Sequence, residues 1–200
     1  MSLTVREMYG CVVMAMTLLV IPAGASAQAP GRFLISGGGG YGSADARCDD
    51  CVGDRQGGAA GYFRLGYAVT PRLVLGGEAN VWTKRESLGG ASTRLRFSSV
   101  SATAAFYPDS AGFFIRGGAG LAMARLDVNA RDSSLREDLG SGFGVLAGLG
   151  YDIPISRRLS MTPGVNVSRG QIGDLKALGQ TFATGWSQNV IDVTIGLTFR

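Results

Sequence analysis

Histidine is absent from this 200-residue chain, and only 17% of its residues are charged. Without imidazole, the usual general base of serine and cysteine hydrolases and the commonest metal ligand are missing. A hydrolase built on carboxylates alone would need two acids close together in a cleft. Asp49-Asp50 and Glu137-Asp138 are instead sequence neighbours in polar stretches and read as solvated. The four glycines at 37–40 are not followed by the G-K-[ST] of a phosphate loop. A net charge of +4 without a basic stripe interleaved with aromatics argues against nucleic acid as a partner. Beyond the first residues, no apolar run is long enough for a membrane helix. No catalytic residue, metal or cofactor is therefore expected.

Cysteine is also scarce, with three in the chain. Cys11 falls in a segment with the layout of a cleavable signal peptide. Arg6 precedes an apolar core at 11–21, Pro22 and Gly24 interrupt it, and Ala25-Ser26-Ala27 matches an A-x-A cleavage site. The expected division is a signal at 1–27 and a mature domain at 28–200. Export leaves Cys48 and Cys51, whose spacing fits a disulfide, free thiols or half a zinc site. An oxidising compartment favours the disulfide. Asp49 and Asp50 between them would raise a thiol pKa, which disfavours a redox motif.

Glycine, by contrast, is abundant at 32 residues, without the three-residue period of collagen. The glycines sit inside stretches of period two, the signature of strands. Phe63, Leu65, Tyr67 and Val69 alternate with Tyr62, Arg64, Gly66 and Ala68. Ile191, Val193, Ile195, Leu197 and Phe199 alternate with Val190, Asp192, Thr194, Gly196 and Thr198. About eight such stretches occur, each about ten residues long, the span a tilted strand needs to cross hydrocarbon. The stretch at 94–107 changes phase, and a bulge near Ser98-Ser99 would reconcile it.

Short connections at 70–72, 108–112 and 154–158 alternate with longer polar ones at 43–57, 83–94, 127–140 and 169–186. An up-and-down barrel with short periplasmic turns and long outer loops produces this pattern. Aromatics fall near strand ends in two bands. Phe33, Tyr67, Phe106, Tyr107, Phe113, Tyr151 and Phe199 lie near the short turns. Tyr41, Phe63, Trp82, Phe97 and Phe143 lie near the long connections. These are the expected interfacial girdles.

Bulky apolar residues on one phase and glycines with isolated charges on the other suit a barrel dissolved in lipid. The expected fold is an all-β, eight-stranded antiparallel transmembrane barrel. Arg64, Glu78, Arg96, Arg116 and Asp192 are expected to form a charge network in its lumen. A turn centred on Pro71 sets Arg64 opposite Glu78. Eight strands enclose an interior just wide enough for side chains to fill. A plugged lumen is therefore preferred to a narrow pore for ions or small solutes. A secreted soluble barrel that binds a ligand is the remaining alternative, and it would need its apolar face inside.

Together these residues resemble the small outer-membrane β-barrel proteins of Gram-negative bacteria, a group that includes the OmpA transmembrane domain, OmpX-type barrels and opacity-type surface proteins. The ending Thr194-Ile195-Gly196-Leu197-Thr198-Phe199-Arg200 looks like the strand read by the barrel-assembly machinery, with Arg200 added after the aromatic. The resemblance implies export through the periplasm and residence as a monomer in outer-membrane lipid. It implies a structural, surface-interaction or porin-like role.

Overall fold

The period-two stretches become strands because alternate side chains then face opposite solvents, lipid outside and packed lumen within. In a computed structural model, which describes residues 33–48, 51–52, 54–88, 91–108, 112–130, 133–177 and 180–200, eight long strands run in sequence. They are β1 Phe33–Cys48, β2 Gln56–Thr70, β3 Leu73–Leu88, β4 Ala91–Phe106, β5 Phe113–Ala130, β6 Ser133–Tyr151, β7 Leu159–Ala177 and β8 Gln180–Phe199. The expected signal segment at 1–27, with Cys11, lies outside the described residues. Each strand pairs antiparallel with the next, and β8 returns to β1, from Ile35 opposite Phe199 to Arg47 opposite Ser187. That last ladder closes the sheet, so no edge is left to face hydrocarbon.

The outward phase carries Phe33, Ile35, Leu65, Val100, Leu121, Val145, Val193 and Ile195, all exposed on the isolated chain. The inward phase carries Ser36, Arg64, Glu78, Ser101, Arg116, Thr162 and Asn166, all buried. Val193 is 58% exposed, whereas its neighbour Thr194 is 3% exposed. A soluble ligand-binding barrel would show the reverse.

Three expectations need correction. First, the strands span 15 to 20 residues rather than about ten. Most of the long polar connections are themselves strand, so the sheet continues as paired ribbon beyond the apolar belt. Polar side chains on the outer face hide the hydrophobic period there, but the backbone still pairs. Second, there is no bulge at Ser98-Ser99. The β3–β4 and β4–β5 registers pass through both residues unbroken. Phe97 and Leu95 keep the inward phase of Ser99 and Ser101; the lumen itself turns from polar to apolar at that height. Third, Trp82 and Phe97 do not join the upper girdle, nor Tyr107 the lower one. They are 2%, 3% and 8% exposed and face inward. Tyr41, Phe63 and Phe143 remain outside at the upper level, and Phe33, Tyr67, Phe106, Tyr151 and Phe199 at the lower.

The short turns show why their residues were punctuation. Thr70 Oγ1 accepts from the backbone N–H groups of Arg72 and Leu73, and Ser156 Oγ does the same for Arg158 and Leu159. Such side-chain turns satisfy backbone donors that no strand can. Gly112 adopts φ +100°, and a Cβ there would lie 2.4 Å from the Asp152 carbonyl oxygen, so only glycine fits.

Candidate functional site

The lumen is the place where charge, burial and strand register converge. Arg64 on β2 stands opposite Glu78 on β3. The Arg64 Nε donates to Glu78 Oε2 at 2.7 Å. From β5, Arg116 Nη2 donates to the other carboxylate oxygen at 3.0 Å and to Asn166 Oδ1 at 2.5 Å. Asn166 on β7 passes the connection on, its Nδ2 donating to Asp192 Oδ1 at 2.6 Å and to Thr194 Oγ1 at 3.3 Å. Two arginines and two acids thus share one cluster of zero net charge, buried at Arg64, Glu78 and Arg116 and half-buried at Asp192. Tyr62 lies beneath both cations, its ring centroid 5.3 Å from Arg64 Cζ and 5.9 Å from Arg116 Cζ. Among the described residues, Arg64 Nη2 and Arg116 Nε have no hydrogen-bond partner; the ring faces of Tyr62 and Phe114 take their place for Arg64. Gly148 makes room for this: a Cβ there would sit 2.8 Å from Asn166 Oδ1 and 3.3 Å from Arg116 Cζ.

Below the cluster, a chain of hydroxyls runs to the periplasmic rim. Tyr62 and Ser36 share a bond, Thr198 Oγ1 donates to Ser36, Thr162 and Thr198 are 2.7 Å apart, and Thr162 donates to Asp152 Oδ1. Asp152 also accepts from Tyr107 OH at 3.0 Å and from Arg200, whose guanidinium donates to the Tyr107 oxygen as well. Burial, and then the Asp152 charge, push the Tyr107 phenol up to about 12, so it remains a donor. Arg200, which breaks the pattern of a terminal aromatic, is held in the rim network that closes this end.

Above the cluster the lumen is apolar. Trp82 stacks on Phe97 with ring centroids 5.3 Å apart. Ala44, Ala124, Leu139, Ile172 and Val190 complete the packed group. Trp82 Nε1 donates to the Gly42 carbonyl at 3.2 Å. Between this lid and Asp192 remains a cavity of about 30 Å³, room for about one water.

Two predicted site features sit elsewhere. Cys48 is disulfide-bonded, and Cys51 lies opposite it in the register at the tip of the first hairpin. Nearby Asp45 accepts from Arg55 and Asn189 at 2.9 and 2.7 Å. Burial alone would raise its carboxyl, but these donors outweigh that and hold it below the ordinary value. Arg96 does not belong to the lumen cluster. It follows the opposite phase from inward Phe97 and lies with Arg85, Arg94, Asp127, Asn129 and Arg136. The supposed bulge had inverted its facing. Conversely, Asn166, Asp152, Tyr62 and Arg200 were not among the residues expected in the lumen network. Asn166 was legible, since it shares the inward phase between Val165 and Val167. Among the described residues, no three metal-ligating side chains gather.

A closed eight-stranded barrel with an apolar exterior and buried internal ion pairs narrows the comparison to envelope proteins. Residues 11–199 match the outer membrane protein beta-barrel domain family.

The chain belongs to that family.

This outer-membrane barrel is similar in fold to neisserial surface protein A, with a TM-score of 0.55 at 16% identity over 84% of this chain and 97% of that one. It is also similar to the attachment invasion locus protein Ail of Yersinia pestis, solved with the heparin analogue sucrose octasulfate, with a TM-score of 0.54 at 12% identity over 84% and 100%. No curated protein matches its sequence. At these identities the likeness is one of fold. Membership places the protein in the bacterial outer membrane, its belt against lipid.

Proposed function

We propose that this outer-membrane barrel is a non-catalytic, monomeric surface protein. In this reading the closed lumen makes the barrel a rigid mount, and the paired ribbons beyond the belt meet the outside. The observation that carries the reading is the occluded lumen: the Glu78 cluster fills the middle and the Trp82–Phe97 lid covers it. A fold shared with a neisserial surface protein and a Yersinia attachment protein supports a contact role. The Cys48–Cys51 bridge would then stiffen the first ribbon tip.

A narrow pore is the second reading, and the file of polar groups from Arg200 to Asp192 favours it. Recordings in planar bilayers separate the two. A sealed mount gives no discrete conductance steps, and Glu78→Ala leaves that unchanged because the lid and the rim network still close both ends. Unitary steps in the wild type that grow in Glu78→Ala would instead identify a gated pore.

A further inference from the structure

The arginines that lie outside the lumen form a site of their own. Trp82, Phe97 and Ala124 occupy one cross-strand row and are buried inward. The next row, Thr83, Arg96 and Arg125, therefore faces out, and so does the alternate row beyond it, Arg85, Arg94, Asp127 and Arg136. Leu95 and Leu126, between those rows, pack on the lumen group, as the alternation requires. On the outer wall, Arg85, Arg94, Arg96 and Arg136 line a cavity of about 430 Å³ with Asp127, Asn129 and Ser92.

Its charges are unbalanced. Asp127 is taken by Arg136 at 2.9 Å, and Asp138 by Arg125 at 2.5 Å. The Arg136 bond, with Arg96 and Arg125 nearby, holds the Asp127 carboxyl below its ordinary value. Among the described residues, Arg85, Arg94 and Arg96 have no carboxylate within ion-pair distance. Moreover, Arg85 stands directly opposite Arg94, and Arg96 opposite Arg125. Like charges facing each other across strands destabilise a sheet. Asp138 already answers Arg125, and Asp127 faces Arg94 but is held by Arg136, so Arg85, Arg94 and Arg96 are left to attract a polyvalent anion. Guanidinium forks suit phosphate, which they grip in a bidentate way.

The location selects the source. Along the same outward phase, toward the membrane, lie exposed Val81, Val100 and Leu121. Arg96 and Arg94 are four and six residues beyond Val100. At about 3.3 Å per residue and a tilt of about 40°, that is roughly 10–15 Å higher, the level of headgroups. A ligand there would rest acyl chains on the valines and leucine and place its charge among the arginines. We infer that this wall cleft binds the clustered phosphates of an outer-leaflet lipid headgroup.

The test uses purified protein in phosphatidylcholine nanodiscs doped with bis-phosphorylated lipid A or with its dephosphorylated form. Native mass spectrometry counts retained lipid for the wild type and for Arg85→Gln/Arg94→Gln/Arg96→Gln, with Arg47→Gln/Arg55→Gln as a basic control elsewhere. The wild type and control should retain the phosphorylated lipid at least about tenfold better than the triple variant, and none should prefer the dephosphorylated lipid. Equal retention by the triple variant overturns the inference. Binding of soluble tripolyphosphate as tight as that of the lipid overturns the assignment to a headgroup. Heat-modifiable gel migration verifies folding of each protein. Should the triple variant not fold, Arg94→Gln alone must still weaken retention, or the inference fails.

Discussion

Glu78→Ala is expected to lower the unfolding free energy by about 3–5 kcal/mol, the cost of stripping one partner from a buried ion pair. The Glu78 side chain is fully enclosed, and both Arg64 and Arg116 lean on it. Removing the carboxylate leaves two cations and, of the cluster's acids, Asp192 alone, which is hydrogen-bonded to Asn166 rather than to either arginine. Urea unfolding in detergent micelles, followed by the heat-modifiable gel shift, reads the loss. A variant that replaces all four, Arg64→Leu/Glu78→Leu/Arg116→Met/Asp192→Asn, should lose far less, because no charge is then stranded. A single-variant loss under about 1 kcal/mol would mean that water reaches the arginines and that the lumen is more open than the cluster implies.

The second large effect is expected at Trp82. Its alanine variant should lose about 3–5 kcal/mol, the range for deleting a large buried aromatic. Trp82 is 2% exposed and anchors the lid by stacking on Phe97 and bonding to Gly42. A tryptophan in an interfacial girdle, as the sequence pattern alone suggests for this position, would cost much less when truncated. The same urea titration therefore distinguishes a lid from a girdle residue.

Strand phase was legible wherever lipid lay outside, because hydrocarbon tolerates only apolar side chains. β2 and β8 could be assigned residue by residue on this ground. The Arg64–Glu78 register followed from the turn at Pro71 and persists in the ladder, even though the register shifts by one between Ala68 and Thr70. Contacts across the lumen were not legible. Arg116 reaches Glu78 from two strands away, a meeting that exists only once the sheet closes. Above the membrane the outer solvent becomes water, the pattern loses its contrast, and Phe97 and Arg96 exchanged sides in the reading. Length misled for the same reason: hydrophobic period marks the belt, not the end of a strand.

The polarity of the wall is tested most directly by a spin label at Val193, attached through cysteine in a Cys48→Ser/Cys51→Ser background and reconstituted in lipid vesicles. The label should collide freely with dissolved oxygen and scarcely with a water-soluble nickel chelate, as a probe lying in acyl chains does. Strong nickel collisions, or immobilisation like that of a packed interior side chain, would contradict the account.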